Sequence, residues 1–186
     1  MPTASLRRDH DLIEKVTKAM GTTIEVLQGG KQVPESVLMQ VVDFTKNFTD
    51  VCHHTKEEKS LFPALADAGM PTNMGPIAVM LADHQRSREI GQSMEASARA
   101  YLESGDPSGL VRDMKEYVEH ITEHLWKENN RLFVMADARL QYVSEKVDGE
   151  LGRIEGEQLD ALGKDRLHYE RLADDLELDA SGRSHQ

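Results

Sequence analysis

The apolar positions of this 186-residue chain fall into helical stripes separated by short runs of glycine and proline. Leu6, His10, Ile13, Thr17, Met20, Ile24 and Leu27 advance by threes and fours, which predicts a helix over residues 5–28 with Ser5 as N-cap and Gly29-Gly30 as the stop. Pro34 suits the first turn of a second helix, carried by Val37, Leu38, Val41, Val42, Phe44, Phe48 and Val51 to about Ala66. A loop rich in glycine and proline over residues 67–76 leads into a third helix reaching Glu103, with Ile77, Met80 or Leu81, His84, Gly91, Met94, Ala98 and Leu102 inward. After Ser104–Ser108, a fourth stripe runs Leu110, Met114, Tyr117, Ile121, His124, Glu128, Leu132 and Met135. Residues 141–179 are charged, with Leu159, Leu162, Tyr169, Leu172 and Leu176 spaced for one further amphipathic helix against the bundle. Residues 180–186 read as a disordered tail in which His185 is incidental. The expected fold is all-α: an up-down-up-down four-helix bundle over residues 1–140 with a C-terminal helical extension.

Polar residues interrupt these stripes in a repeated way. His53-His54-Thr55-Lys56-Glu57-Glu58-Lys59-Ser60-Leu61-Phe62 returns as His124-Leu125-Trp126-Lys127-Glu128-Asn129-Asn130-Arg131-Leu132-Phe133, so both copies read H-x-x-K-E-x-x-x-L-F. Residues four apart share a helix face, so each copy aims an imidazole and a carboxylate at one point. Glu128 sits in mid-stripe, where a carboxylate without a partner is costly. In the second helix two registers compete: the stripe of Phe44, Phe48, Val51 and Leu65 turns His54 and Glu58 inward, whereas alignment of the two copies favours His53 and Glu57. His10 and His84 also break apolar faces, and for His10 a buried, hydrogen-bonded core histidine is an equal alternative. His120 lies at the edge of the fourth stripe, as a reserve ligand, a group behind the ligands or a solvated residue. His168 lacks a carboxylate one turn away and reads as structural. Gly91, two turns past His84, leaves room for a small ligand or allows close helix packing.

Charge and cysteine content narrow the chemistry. With 22 Lys and Arg against 33 Asp and Glu the net charge is −11, which disfavours nucleic acid. One cysteine, Cys52, excludes an intrachain disulfide and a thiolate metal cluster within the chain, and fits a reducing, cytoplasmic setting. No apolar run is long enough to span a membrane, and the basic start MPTASLRRDHDLIEK has no apolar stretch behind it. Imidazole and carboxylate donors suit iron, zinc or manganese. Two His–Glu pairs with two further histidines exceed the need of one tetrahedral zinc and point to two ions sharing carboxylates.

At these residues the chain resembles the hemerythrin-like (HHE cation-binding) domains, four-helix bundles with a non-haem di-iron centre. His10 in RRDHDLI resembles the first-helix ligand, His53 with Glu57 the second-helix pair, His84 in MGPIAVMLADH the third-helix histidine, and His124 with Glu128 the last pair. The resemblance implies two Fe ions that an oxo or hydroxo group can bridge, in preference to Zn or Mn, with Glu57 and Glu128 between them and the histidines terminal. It implies a protein that binds or reacts with O₂, NO or peroxide, as a sensor or in detoxification. The alternatives are an iron-sensing or iron-storage module, or an iron–sulfur-cluster repair protein, since MGPIAVMLADH is similar to a stretch of those proteins. Their cysteine-bearing amino-terminal part has no counterpart here, which weighs against that role. One position departs from the oxygen carriers: a second third-helix histidine is replaced by Arg88. His54, His120 or solvent is then expected to fill the gap, with Arg88 steadying an anionic ligand.

Overall fold

A computed structural model describes residues 1–184, and among them the chain forms six helices and no strand. Helix α1 spans Ala4–Gln28, α2 residues 35–67, α3 Gly75–Ser104 and α4 residues 108–139. Their short connections return each helix antiparallel to the last, which gives the expected four-helix bundle. The breakers act where anticipated. Gly30 ends the first helix at φ 75°, a conformation that costs a residue without Cβ little, and Pro76 lies in the first turn of α3. The apolar stripes face inward and form two buried clusters. One runs from Ile13 to Leu125 through Phe44, Phe48 and Met114; the other gathers Leu6, Leu61, Phe62, Ile77, Leu132 and Phe133.

Several details differ from the periodicity. Thr3, not Ser5, stands at the α1 N-cap, and Ser5 is buried. In α3, Met80 is buried while Leu81 is exposed, and Tyr101 takes the inward place expected of Leu102, its hydroxyl accepting from the Val33 amide at 3.3 Å. A stripe held over thirty residues drifts round a straight helix, which moves its last members by one position.

The C-terminal extension is two helices rather than one: α5, Ser144–Ala161, and α6, Arg166–Ser184. Gly149, Gly152 and Gly156 sit exposed within α5 without breaking it, and only Gly163, at φ 65°, turns the chain. Helix α6 continues through residues 180–184, with Ala180 buried, where a disordered tail was expected. His185 lies outside the described residues. Val147, Leu151 and Ile154 of α5 and Tyr169, Leu172 and Leu176 of α6 are buried, so the pair is sealed to the bundle by an apolar face of its own. Among the described residues no helix is long and apolar enough to cross a membrane.

Candidate metal centre

Both repeat-bearing helices abandon α geometry at the repeat. Helix α2 is π-helical over Phe44–His54 and Glu57–Leu61, and α4 over Glu128–Leu132. A π turn bonds i to i+5 and is wider than an α turn, so neighbours along the chain are separated by a smaller angle. That resolves the register of the second helix: His53 and His54 both reach the bundle interior, fully buried, and Glu57 joins them one turn on. In each copy the glutamate of the repeat opens a π turn that ends at its leucine.

Five imidazoles and two carboxylates meet between the two apolar clusters. His10, His53, Glu57 and Glu128 bring donor atoms within 4.8 Å of one another; so do Glu57, His84, His124 and Glu128, and so do His54, His84 and His124. Glu57 and Glu128 belong to the groups on both sides. His10 Nε2 lies 3.2 Å from Glu128, His84 Nε2 3.2 Å from Glu57, and His124 Nε2 3.4 Å from Glu128. His54 and His84 stack with ring centroids 3.9 Å apart. All six residues expected as ligands are thus together, with His54 added on the side of His84 and His124, where Arg88 had left a gap. His120 stays outside: its Nε2 donates to the Asp83 carbonyl at 2.9 Å.

The outer nitrogen of four of the five rings in the cluster is hydrogen-bonded to an oxygen acceptor. Nδ1 of His10 meets Asn129 at 2.9 Å, that of His53 meets Asp9 at 3.1 Å, and that of His54 meets Asp50 at 3.4 Å. His84 Nδ1 meets Glu58 at 2.8 Å, and His124 Nδ1 points at Asp83 at 3.6 Å. A carboxylate or amide oxygen only accepts, so in these four rings Nδ1 carries the proton and Nε2 keeps its lone pair, while His124 Nδ1 has no hydrogen-bond partner. All five Nε2 atoms, and both oxygens of Glu57 and of Glu128, are buried with no hydrogen-bond partner. Leaving nine such atoms unsatisfied in a core is prohibitively costly, and a cation among them is the chemistry that fits. The donors are nitrogen and oxygen only. Cys52 is buried outside the cluster, and burial pushes its thiol up to about 12, so it stays protonated.

Electrostatics follow the same plan. Burial, and then the imidazoles of His84 and His124 packed beside it, push His54 well below its ordinary value, so it presents the neutral form that coordinates. Burial would raise Glu128, but the imidazoles of His124, His10 and His84 around it outweigh that and hold the carboxyl well below the usual range. Asp9 is likewise lowered against its burial by His53 and Lys56.

The other letters of the repeat have roles that periodicity alone did not expose. Lys56 reaches Asp9 at 2.5 Å, and Lys127 reaches Asp83 at 3.1 Å, so each repeat lysine pairs with the aspartate facing its own repeat histidine. Those aspartates directly precede His10 and His84, so an Asp-His dipeptide in α1 and α3 supplies one ligand and orients another. Phe62 stacks on His84 and Phe133 on His10, at 5.6 and 5.0 Å between centroids. The recurring Asp-His dipeptide was a signal available in the sequence. Arg88 does not face the cluster: it donates to Asp50 and to Glu58, both at 2.7 Å, and those carboxylates hold His54 and His84. A cavity of about 180 Å³ opens beside His54, bordered by Ser87, Arg88, Gly91 and Tyr117. A Cβ at Gly91 would meet no atom within 4 Å, so close helix packing is not what that glycine serves.

The Hemerythrin HHE cation binding domain matches residues 1–136 of the chain. The chain belongs to that family. An uncharacterized protein of Mycobacterium tuberculosis is 26% identical over 159 residues, covering 82% of this chain and 62% of its own length. The iron-sulfur cluster repair protein YtfE of Yersinia pseudotuberculosis is 28% identical over 125 residues, covering 63% of this chain and 54% of its own length. The chain therefore spans somewhat under two thirds of the curated relatives it matches. No solved structure matches it. As a hemerythrin-type domain the chain is a metal-binding helical bundle, and its His–Glu clusters are where the family's cations fit.

Proposed function

We propose that this chain is a non-haem di-iron protein that binds or reacts with O₂, NO or peroxide in a sensing or detoxifying role in the cytoplasm. The observation that carries the reading is the convergence of five unpartnered Nε2 atoms on two unpartnered carboxylates in a buried layer. His10 and His53 would hold one ion, His54, His84 and His124 the other, and Glu57 and Glu128 would lie between them. Iron there supplies a redox-active centre with affinity for small diatomic and peroxide ligands. The unequal histidine count would leave the His10/His53 ion with fewer protein donors and so with the open coordination position for a small ligand. The protein's own part is to keep the Nε2 lone pairs of His10, His53, His54 and His84 aimed inward through the acceptors behind their Nδ1 atoms, and to exclude bulk water with Leu61, Phe62, Leu132 and Phe133. Elemental analysis after iron-replete expression should give close to two irons per chain, and the visible spectrum should respond to azide or NO. One zinc, or no metal, would end this reading. Glu57→Ala should empty both positions, whereas Glu58→Ala should leave iron bound more weakly, because Glu58 only orients His84.

A second reading is iron sensing through stability, favoured by the same unpartnered charges: without a cation they oppose folding, so occupancy would control how long the fold persists. Metal-dependent melting with no spectral response to O₂, NO or peroxide would favour it. Repair of iron–sulfur clusters, suggested by the YtfE similarity, is distinguished by assaying restoration of a damaged cluster protein.

A further inference from the structure

The two halves of the centre are built alike but covered differently. In the α3/α4 half, Asp83 faces His124 and pairs with Lys127, whose other partner is the exposed Glu123 at 3.0 Å. In the α1/α2 half, Asp9 faces His53 and pairs with Lys56, and both side chains are fully buried. What buries them comes from the extension, beyond the residues that match the family. Arg166, at the start of α6, donates to Asp9 Oδ1 at 2.7 Å while Asp9 Oδ2 faces His53 and Lys56. Glu155 of α5 accepts from Lys56 at 2.5 Å and from Arg166 at 3.2 Å. Two cations and two anions therefore close a ring behind a single metal-facing histidine. Asp9 cannot turn away from His53 without giving up its ion pairs to Lys56 and Arg166 together.

We propose that the C-terminal helix pair is a working part of the metal site: Arg166 and Glu155 position Asp9, and through it His53, so that they selectively retain the ion bound by His10 and His53. The inference rests on the two-ion reading above. It gives the extension a task that apolar packing alone does not require, because the charged side chains of α5 and α6 would otherwise stay in water. Partners behind a ligand of this kind are worth about 10- to 100-fold in metal affinity.

The test uses the full chain loaded with zinc, which takes the same nitrogen and oxygen donors and is diamagnetic. Release to a chelator is followed by NMR of the histidine ring protons, which separates His10 and His53 from His84 and His124. In Arg166→Gln the His10/His53 ion should leave about 10- to 100-fold faster and the other ion at the wild-type rate. Arg166→Lys should recover most of the loss, and Glu123→Gln in the opposite half should change nothing at His53. Should Arg166→Gln also lower the melting temperature of the metal-free chain, Glu155→Gln, which keeps both cation contacts to Asp9, decides on the same readout. Unchanged release, or equal acceleration of both ions, would overturn the inference. A wild-type chain that takes up no pair of ions would instead remove the proposed function itself.

Discussion

Arg88 stands one turn past His84, where a ligand was looked for, and its guanidinium cannot coordinate iron. Its fork spans Asp50 and Glu58, and through them it fixes the rings of His54 and His84, two histidines of the proposed second ion. Arg88→Ala should therefore weaken retention of that ion by about 10- to 100-fold and leave the His10/His53 ion in place, measured by competitive chelator titration. Lysine offers a point charge in place of the planar fork and should restore only part. Equal losses at both ions would show that Arg88 supports the bundle in general. Gly91, nearby, gives the opposite sign. No atom lies within 4 Å of a Cβ built there, and the position is mid-helix, so Gly91→Ala should stabilise the metal-free protein by about 0.5–1 kcal/mol in urea unfolding.

The four bundle helices could be read from apolar spacing because their stripes are long and their ends carry glycine or proline. The inward pair of α2 could not. An α-helical template allows His53/Glu57 or His54/Glu58, and the molecule uses His53, His54 and Glu57 by leaving that template. No residue type specifies a π turn. It is maintained here by the partners that the displaced side chains find, Asp50 one turn back and, from elsewhere in the fold, the Asp9 carboxylate and the imidazoles of other helices. The pairings of Lys56 with Asp9 and of Lys127 with Asp83 were hidden for the same reason, since each joins two helices. The two repeat glutamates, by contrast, were legible, because a mid-stripe carboxylate demands a partner wherever it falls. The π turn at Glu57–Leu61 can be tested directly. Deleting exposed Lys59 removes the extra residue and should let the segment close into regular α-helix, turning Phe62 and Leu65 away from their places. Helical circular dichroism should be nearly unchanged while bound iron falls by more than half. Full iron retention would mean that the turn is not needed to seat the ligands.

At the scale of the whole molecule, the centre lies between the two apolar clusters of the core and brings together polar side chains of all four bundle helices. With cations present, the layer ties α1 to α4 through His10 and Glu128, and α2 to α3 through Glu57 and His84. Without them, nine buried donor atoms face one another, and the imidazoles must either take up protons or remain unsatisfied. Metal that binds only the folded chain stabilises it by mass action, about 4 kcal/mol for each ion present at a thousandfold excess over its dissociation constant. For a chain of this size 1 kcal/mol moves the melting temperature by about 2–4 °C, so stripping one such ion should lower it by roughly 8–16 °C. The shift should return on adding ferrous iron, and it should grow with free metal concentration as a binding isotherm requires. It should also be larger than in a Glu57→Gln, Glu128→Gln double variant, which removes both carboxylate charges and leaves the cations little to bind. If the stripped wild-type chain melts where the loaded one does, the layer is satisfied by protons and water alone, and the apolar clusters on either side carry the fold without it.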